Sequence, residues 1–152
     1  MTARMKNPAY VLPTAMKGIG TLVKAIGEGG LDHALQELVA LRVSQINGCA
    51  ACVHGHVASL RGAGESEERI ASAVAWREAP FYTEAERAAL ALSEYATRIA
   101  DQSRDRVPDD VWNDVADHFD ERELSALILV IGLTNMFNRI NVTVQEPAGT
   151  TW

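Results

Sequence analysis

The chain has 152 residues, 47% of them hydrophobic, and a formal net charge of −6. That length can bury a real core without covalent staples, and that hydrophobic content excludes a disordered chain. With 14 Lys and Arg against 20 Asp and Glu, no basic footprint for nucleic acid or an anionic membrane is visible.

Residues 1–13 are polar, are broken by Pro8 and Pro13, and are expected to form a tail that docks on the body or on a neighbour. From Thr14 to Ile26, Ala15, Met16, Ile19, Leu22, Val23 and Ile26 recur at helical spacing, and Gly27, Gly29 and Gly30 end the run. Leu31 to Ile46 is apolar around most of its circumference, which marks a central helix. Asn47-Gly48 breaks it: Gly48 can adopt the left-handed conformation that closes a helix, and Asn47 can cap the next. Cys49 to Arg61 is that next helix, with Cys49 in its first turn.

Ser66 reads as an N-cap of a short helix carrying Ile70 and Val74 and ending near Trp76. Thr83 and Glu86 form a capping box for a helix that runs to about Ala100. A charged loop covers 101–107, and Pro108 takes a first helical position with Asp109 and Asp110 behind it. Asp120 and Glu123 form a second capping box, and the last helix runs from Leu124 to about Val142. No segment gives a convincing period-two strand; Ile140 to Val144 leans towards β but continues a helical pattern. The pattern predicts an all-α helical bundle of six to seven helices. It reads as one domain over 1–152, with tails at 1–13 and 146–152. The first twenty residues have no continuous apolar core, and Ala126 to Leu133 is about a third of a membrane span. The chain therefore reads as cytoplasmic, with no membrane partner.

Chemistry concentrates between Glu37 and His56. Over the 27 residues from Ala34 to Leu60 the only Asp, Glu, Lys or Arg residues are Glu37 and Arg42, where average usage predicts about six. A stretch this poor in charge is expected to be buried. Within it lie both cysteines, Cys49 and Cys52, as C-x-x-C. In a reducing compartment a close pair is catalytic or metal-binding more often than a permanent staple. On a helix, Cys49 and Cys52 are i,i+3, and Cys52 and His56 are i,i+4, all on one face. The helix N-terminus and a neighbouring imidazole both lower a thiol pKa. Such a thiolate attacks a peroxide to give a sulfenic acid, which the second thiol condenses to a disulfide. An antiparallel hairpin would return Glu37 towards Cys52 and His56, where it could hold the imidazole or pass a proton. The lesser reading is a solvated helix residue in a narrow polar strip with Gln36, Ala40 and Ser44.

Zinc is the competing reading: Cys49, Cys52 and His56 supply three ligands, and Glu37 or His118 would have to supply the fourth. His54 reads as a helix-face residue, and His33 and His118 as ordinary surface or cap histidines. Arg42 is expected to pair with a carboxylate at an interface. Asn135, Asn138, Arg139 and Asn141 form a polar patch that either satisfies a helix end or borders the thiol pocket. Trp76-Arg77 and Phe81-Tyr82 read as core or interface. No haem or flavin motif is visible, so no cofactor is expected.

The run from Glu37 to His56 resembles the core motif of the alkylhydroperoxidase D-like (AhpD-like) proteins, within the carboxymuconolactone decarboxylase superfamily. Trp76 to Phe81, Glu86 to Leu90 and Asn135 to Arg139 are similar to the same family, and the resemblance covers roughly residues 15 to 145. It implies an all-helical subunit assembling into trimers or hexamers, and a thiol peroxidase. By that resemblance Cys52 is the attacking thiol, Cys49 the resolving thiol, His56 the base and Glu37 the proton relay. The implied partners are a hydroperoxide and a dithiol reductant, lipoyl or thioredoxin-like. The longer branch of the family carries a second histidine inside its C-x-x-C, where this chain has Ala51. The decarboxylase branch lacks the cysteine pair. A redox-sensing or disulfide-exchange module with low turnover, and a zinc-stabilised interaction protein, are the alternatives.

Overall fold

A computed structural model describes residues 2–101 and 106–150. The described residues contain eight α-helices: α1 (Pro8–Val11), α2 (Pro13–Glu28), α3 (His33–Asn47), α4 (Ala50–Gly62), α5 (Glu67–Ser72), α6 (Glu84–Thr97), α7 (Asp109–His118) and α8 (Glu121–Val144). Short 3-10 turns follow α5 and α6, at Ala73–Ala75 and Ile99–Asp101. The all-α reading holds. The helix beyond the expected seven is α1, a single turn inside the segment read as a tail. Ile140 to Val144 is the end of α8, not a strand. Of the charged loop expected at 101–107, residues 102–105 lie outside the described residues.

Helix starts follow local chemistry. The Thr83 hydroxyl accepts the Glu86 N–H while the Glu86 carboxylate accepts the Thr83 N–H. Asp120 accepts the N–H groups of Arg122 and Glu123 at 2.8 and 2.9 Å, and Glu123 returns the bond. Asp32 caps α3 through Leu35 N–H, so that helix starts at His33 rather than at Leu31. Pro108 is the N-cap of α7, one residue outside its expected place.

Helix α3 is the central element. One side of it, with Leu35, Val39 and Val43, packs with Ala88, Leu92, Leu127 and Ile131 of α6 and α8. Its other side, with Leu38 and Leu41, joins Leu60, Ile70, Trp76, Tyr82 and Leu90. Burial on both sides is why its apolar pattern runs round the helix. Among the described residues, α8 is the one helix long and apolar enough to cross a membrane by length and composition. Here it packs against α3, α2 and α6, and its buried face carries Thr134, Asn138 and Asn141.

Arg42 finds its carboxylate inside the chain rather than at an interface. Its guanidinium grips Glu94 Oε1 of α6 at 2.8 and 2.7 Å, an oxygen that also accepts Trp76 Nε1–H at 2.9 Å. Arg77 joins the same carboxylate and stacks on the Trp76 ring. Asn47 does not cap α4. Its Nδ2 donates to Asn138 Oδ1 at 2.8 Å and Asn135 Oδ1 at 3.0 Å, and Asn138 donates to Ser44 Oγ at 3.0 Å. This polar clamp fastens the end of α3 to α8.

The N-terminal segment docks on the body. Arg4 N–H donates to Val144 C=O at 2.8 Å, which satisfies a carbonyl at the end of α8. Asn7, 5% exposed, donates to Asn141 Oδ1 at 3.0 Å.

Candidate functional site

The site forms at the α3–α4 junction. Gly48, at φ 66°, takes the left-handed conformation that closes α3. The chain then reverses: Cys49 N–H donates to Ser44 C=O at 3.0 Å, and α4 runs back along α3. Cys49 is not in the first turn of α4 but is its N-cap. Its sulfur accepts Cys52 N–H at 3.4 Å, the role a Ser or Asp oxygen ordinarily fills. The two cysteines are joined as a disulfide with a Cα–Cα separation of 5.3 Å, within the usual range for such bonds.

The sulfurs differ in access. Cys49 is 1% exposed and Cys52 is 7% exposed. Cys52 lines a cavity of about 700 Å³ and Cys49 does not. Glu37, His56 and Ser59 form a polar strip on the wall beside Cys52; Ile26, Leu31, Val130, Leu133 and Phe137 provide apolar wall from α2, α8 and the loop before α3. A mostly apolar pocket of this size with a few convergent polar groups is the usual form of a small-molecule site.

His56 and Glu37 meet as the hairpin geometry predicts. His56 Nδ1 lies 2.9 Å from Glu37 Oε2. Burial pushes the Glu37 carboxyl up. The hydrogen bond and charge of His56, the charge of His33 and the Ser59 hydroxyl outweigh it and hold Glu37 below its ordinary value. Glu37 is therefore an ionised, partly buried carboxylate with fixed partners and not a solvated helix residue. With Nδ1 engaged by Glu37, Nε2 is the ring's second site for a proton. In the disulfide state the hydrogen bond to Cys52 Sγ comes not from His56 but from Asn141 Nδ2, at 3.3 Å.

Sequence reasoning placed Cys49, Cys52, His56 and Glu37, and the structure brings all four together. The expected polar patch divides: Asn141 reaches the thiol site, while Asn135 and Asn138 belong to the clamp on Asn47. His33, expected to be an ordinary surface or cap histidine, is exposed at the first position of α3 and also lines the cavity near Glu37. Asn7 was not singled out; its signal was the Asn-Pro pair that caps α1. His54 is exposed, and His118 faces Asp114 on α7. Among the described residues, no group of three or more His, Cys, Asp or Glu is placed to hold a metal ion.

The family model of the carboxymuconolactone decarboxylase family matches residues 12–95. The chain belongs to the carboxymuconolactone decarboxylase family. Within that family it is AhpD-like. The uncharacterised protein YdfG of Bacillus subtilis is 38% identical over 91% of this chain and 92% of its own length. An alkyl hydroperoxide reductase AhpD of a Methylobacterium strain is 43% identical over 45% of this chain and 36% of its own length. The chain thus spans about a third of that longer relative. Among solved structures, a protein of unknown function from Agrobacterium tumefaciens, described as a candidate antioxidant defence protein AhpD, superposes with a TM-score of 0.88. It is 37% identical, over 99% of this chain and 100% of its own. The family holds both AhpD peroxidase-type enzymes and carboxymuconolactone decarboxylases.

Proposed function

We propose that this carboxymuconolactone decarboxylase family member is a cysteine-based peroxidase that reduces organic hydroperoxides and is recycled by an external dithiol. The observation that carries the reading is the unequal access of the paired sulfurs: Cys52 faces the cavity beside His56 and Glu37, and Cys49 is sealed behind it.

In the reduced protein, His56 accepts the Cys52 proton and Glu37 holds the ring and relays protons. The Cys52 thiolate attacks the terminal peroxide oxygen. An S–O bond forms, the O–O bond breaks, and the alkoxide leaves with the proton from His56 as an alcohol. Cys49, as thiolate, then attacks the Cys52 sulfenic acid; hydroxide leaves, is protonated to water, and the Cys49–Cys52 disulfide forms. A dithiol reductant restores both thiols by exchange and leaves as its own disulfide, so two electrons pass from dithiol to peroxide. The apolar cavity wall favours a substrate with a hydrocarbon body over hydrogen peroxide. The recessed sulfurs favour a slender dithiol such as a lipoyl arm, with a thioredoxin-like protein as the other reductant class. We place this activity in the cytoplasm, in one domain spanning 1–152, on a homotrimer or homohexamer.

The test is hydroperoxide consumption with lipoyl and thioredoxin-type reductants. Cys52→Ser is expected to abolish turnover, and Cys49→Ser to stall after one equivalent. Equal partial loss in the two variants contradicts the assigned order. Disulfide reduction by either dithiol without hydroperoxide consumption would instead identify a disulfide-exchange module built on the same sulfurs.

A further inference from the structure

The Cys52 sulfur has one polar partner that the chemistry above does not use. Asn141 Nδ2 lies 3.3 Å from it, and Asn141 is 3% exposed. Which end of that carboxamide faces the sulfur follows from a chain of bonds anchored on the backbone. Ala9 N–H donates to Asn7 Oδ1 at 3.0 Å. A backbone N–H can only donate, so the oxygen end of Asn7 is fixed. The other end, Nδ2, then donates to Asn141 at 3.0 Å and requires the oxygen there. Asn141 is left with its NH₂ towards Cys52. The amide polarity at the sulfur, which an isolated Asn would leave ambiguous, is inherited from the first turn of α1.

The backbone N–H of Cys52 itself is engaged elsewhere. Cys52 N–H points to the Cys49 sulfur, so the N-terminus of α4 serves the resolving thiol. The titratable side chains that share the cavity with Cys52 are Tyr10 from the N-terminal segment, His33 and Glu37 from α3, and His56 from α4; α8 contributes none. The donor from α8 is thus a neutral amide with no proton to lose, and it acts in every protonation state of the His56–Glu37 pair.

We infer that Asn141 is a catalytic residue that donates a hydrogen bond to the Cys52 sulfur, and that Asn7 is the positioning residue that holds its donor end in place. This rests on the reading of Cys52 as the attacking thiol. A donor aimed at sulfur favours the thiolate over the thiol, and the effect depends on the correct amide end facing it.

The test is the pH dependence of Cys52 alkylation by iodoacetamide in reduced protein carrying Cys49→Ser, which leaves a single thiol. Adding Asn141→Ala is expected to move the alkylation midpoint up by about one pH unit, a tenfold smaller thiolate fraction below both midpoints. Asn141→Asp, which puts an acceptor-only carboxylate at the sulfur, is expected to move it further. Asn7→Ala, which leaves Asn141 in place but free to turn, is expected to move it upward by less. A role in packing alone lowers the thermal midpoint and leaves the alkylation midpoint where it was; that result in Asn141→Ala overturns the inference. Should both Asn141 variants fail to fold, an unchanged midpoint in Asn7→Ala overturns it equally. Alkylation needs no peroxide, so an inactive wild type would sink the peroxidase reading while leaving this result readable. An active wild type with unshifted midpoints would sink the Asn141 assignment alone.

Discussion

Two walls of the cavity, α2 and α8, meet at Gly29, and an alanine there should push them apart. A Cβ at Gly29 would lie 2.6 Å from Ala126 Cβ, 3.0 Å from Arg122 C=O and 3.1 Å from Ile26 C=O. Carbon atoms settle at about 3.5–4.0 Å, so the end of α2 must move about 1 Å from α8. Two of the three obstacles are backbone, and Arg122 Nη2 clips the helices together through Glu28 C=O at 2.6 Å. Overpacking of this kind costs about 1–3 kcal/mol. The loss of unfolded-state freedom on Gly→Ala returns about 0.4–1 kcal/mol. The net is about 1–2 kcal/mol, or a fall in Tm of about 3–6 °C for a chain of this size. Gly20→Ala is the control. It sits inside α2 with nothing within 4 Å of its added Cβ, so it should stabilise by about 0.5–1 kcal/mol. Thermal and urea denaturation followed by circular dichroism read both. A Gly29→Ala protein as stable as wild type, beside a stabilised Gly20→Ala, would refute the close-approach argument.

Three further outcomes are expected. Asn47→Ala removes the donor to Asn138, whose carbonyl oxygen is then left without it in a residue 1% exposed; stability should fall by about 1–3 kcal/mol in urea, and an unchanged midpoint would show the clamp to be dispensable. Glu37 has its pKa depressed by His56, His33 and Ser59 against the opposing effect of burial. Its ionised form therefore stabilises the fold fully above the ordinary carboxyl value and loses that contribution as pH falls through the lowered one. Wild type should be more stable than Glu37→Gln at pH 7, and the gap should close on acidification below about 4; a gap that widens in acid contradicts the sign. Asp120→Ala strips the cap from α8 and should cost about 1 kcal/mol, measured as a shift in the urea midpoint.

What was legible in the chain was local or hairpin-close. The capping boxes at Thr83 and Asp120 are four-residue patterns, and both form as read. Glu37 and His56 are 19 positions apart, and one Gly-closed reversal suffices to bring them together. Cys49 sits one position outside the helix start that the pattern predicts, because sulfur is not an ordinary N-cap atom and nothing in the residue types marks it as the helix boundary. Asn47 looked like a cap for the same local reason, yet its partners are Asn135 and Asn138, 88 and 91 positions away. The contact of Asn7 with Asn141 spans 134 positions, and no periodicity carries such a pairing. The carboxylate that Arg42 pairs with, Glu94, lies 52 positions on, beyond any pattern linking neighbouring helices.

The strapping of Arg4 to Val144 and of Asn7 to Asn141 bears on how the protein is handled at the bench. A purification tag or reporter fused ahead of Thr2 hangs a few residues from a strap that ends beside Cys52. Trimming or burdening that segment acts on the immediate surroundings of Cys52.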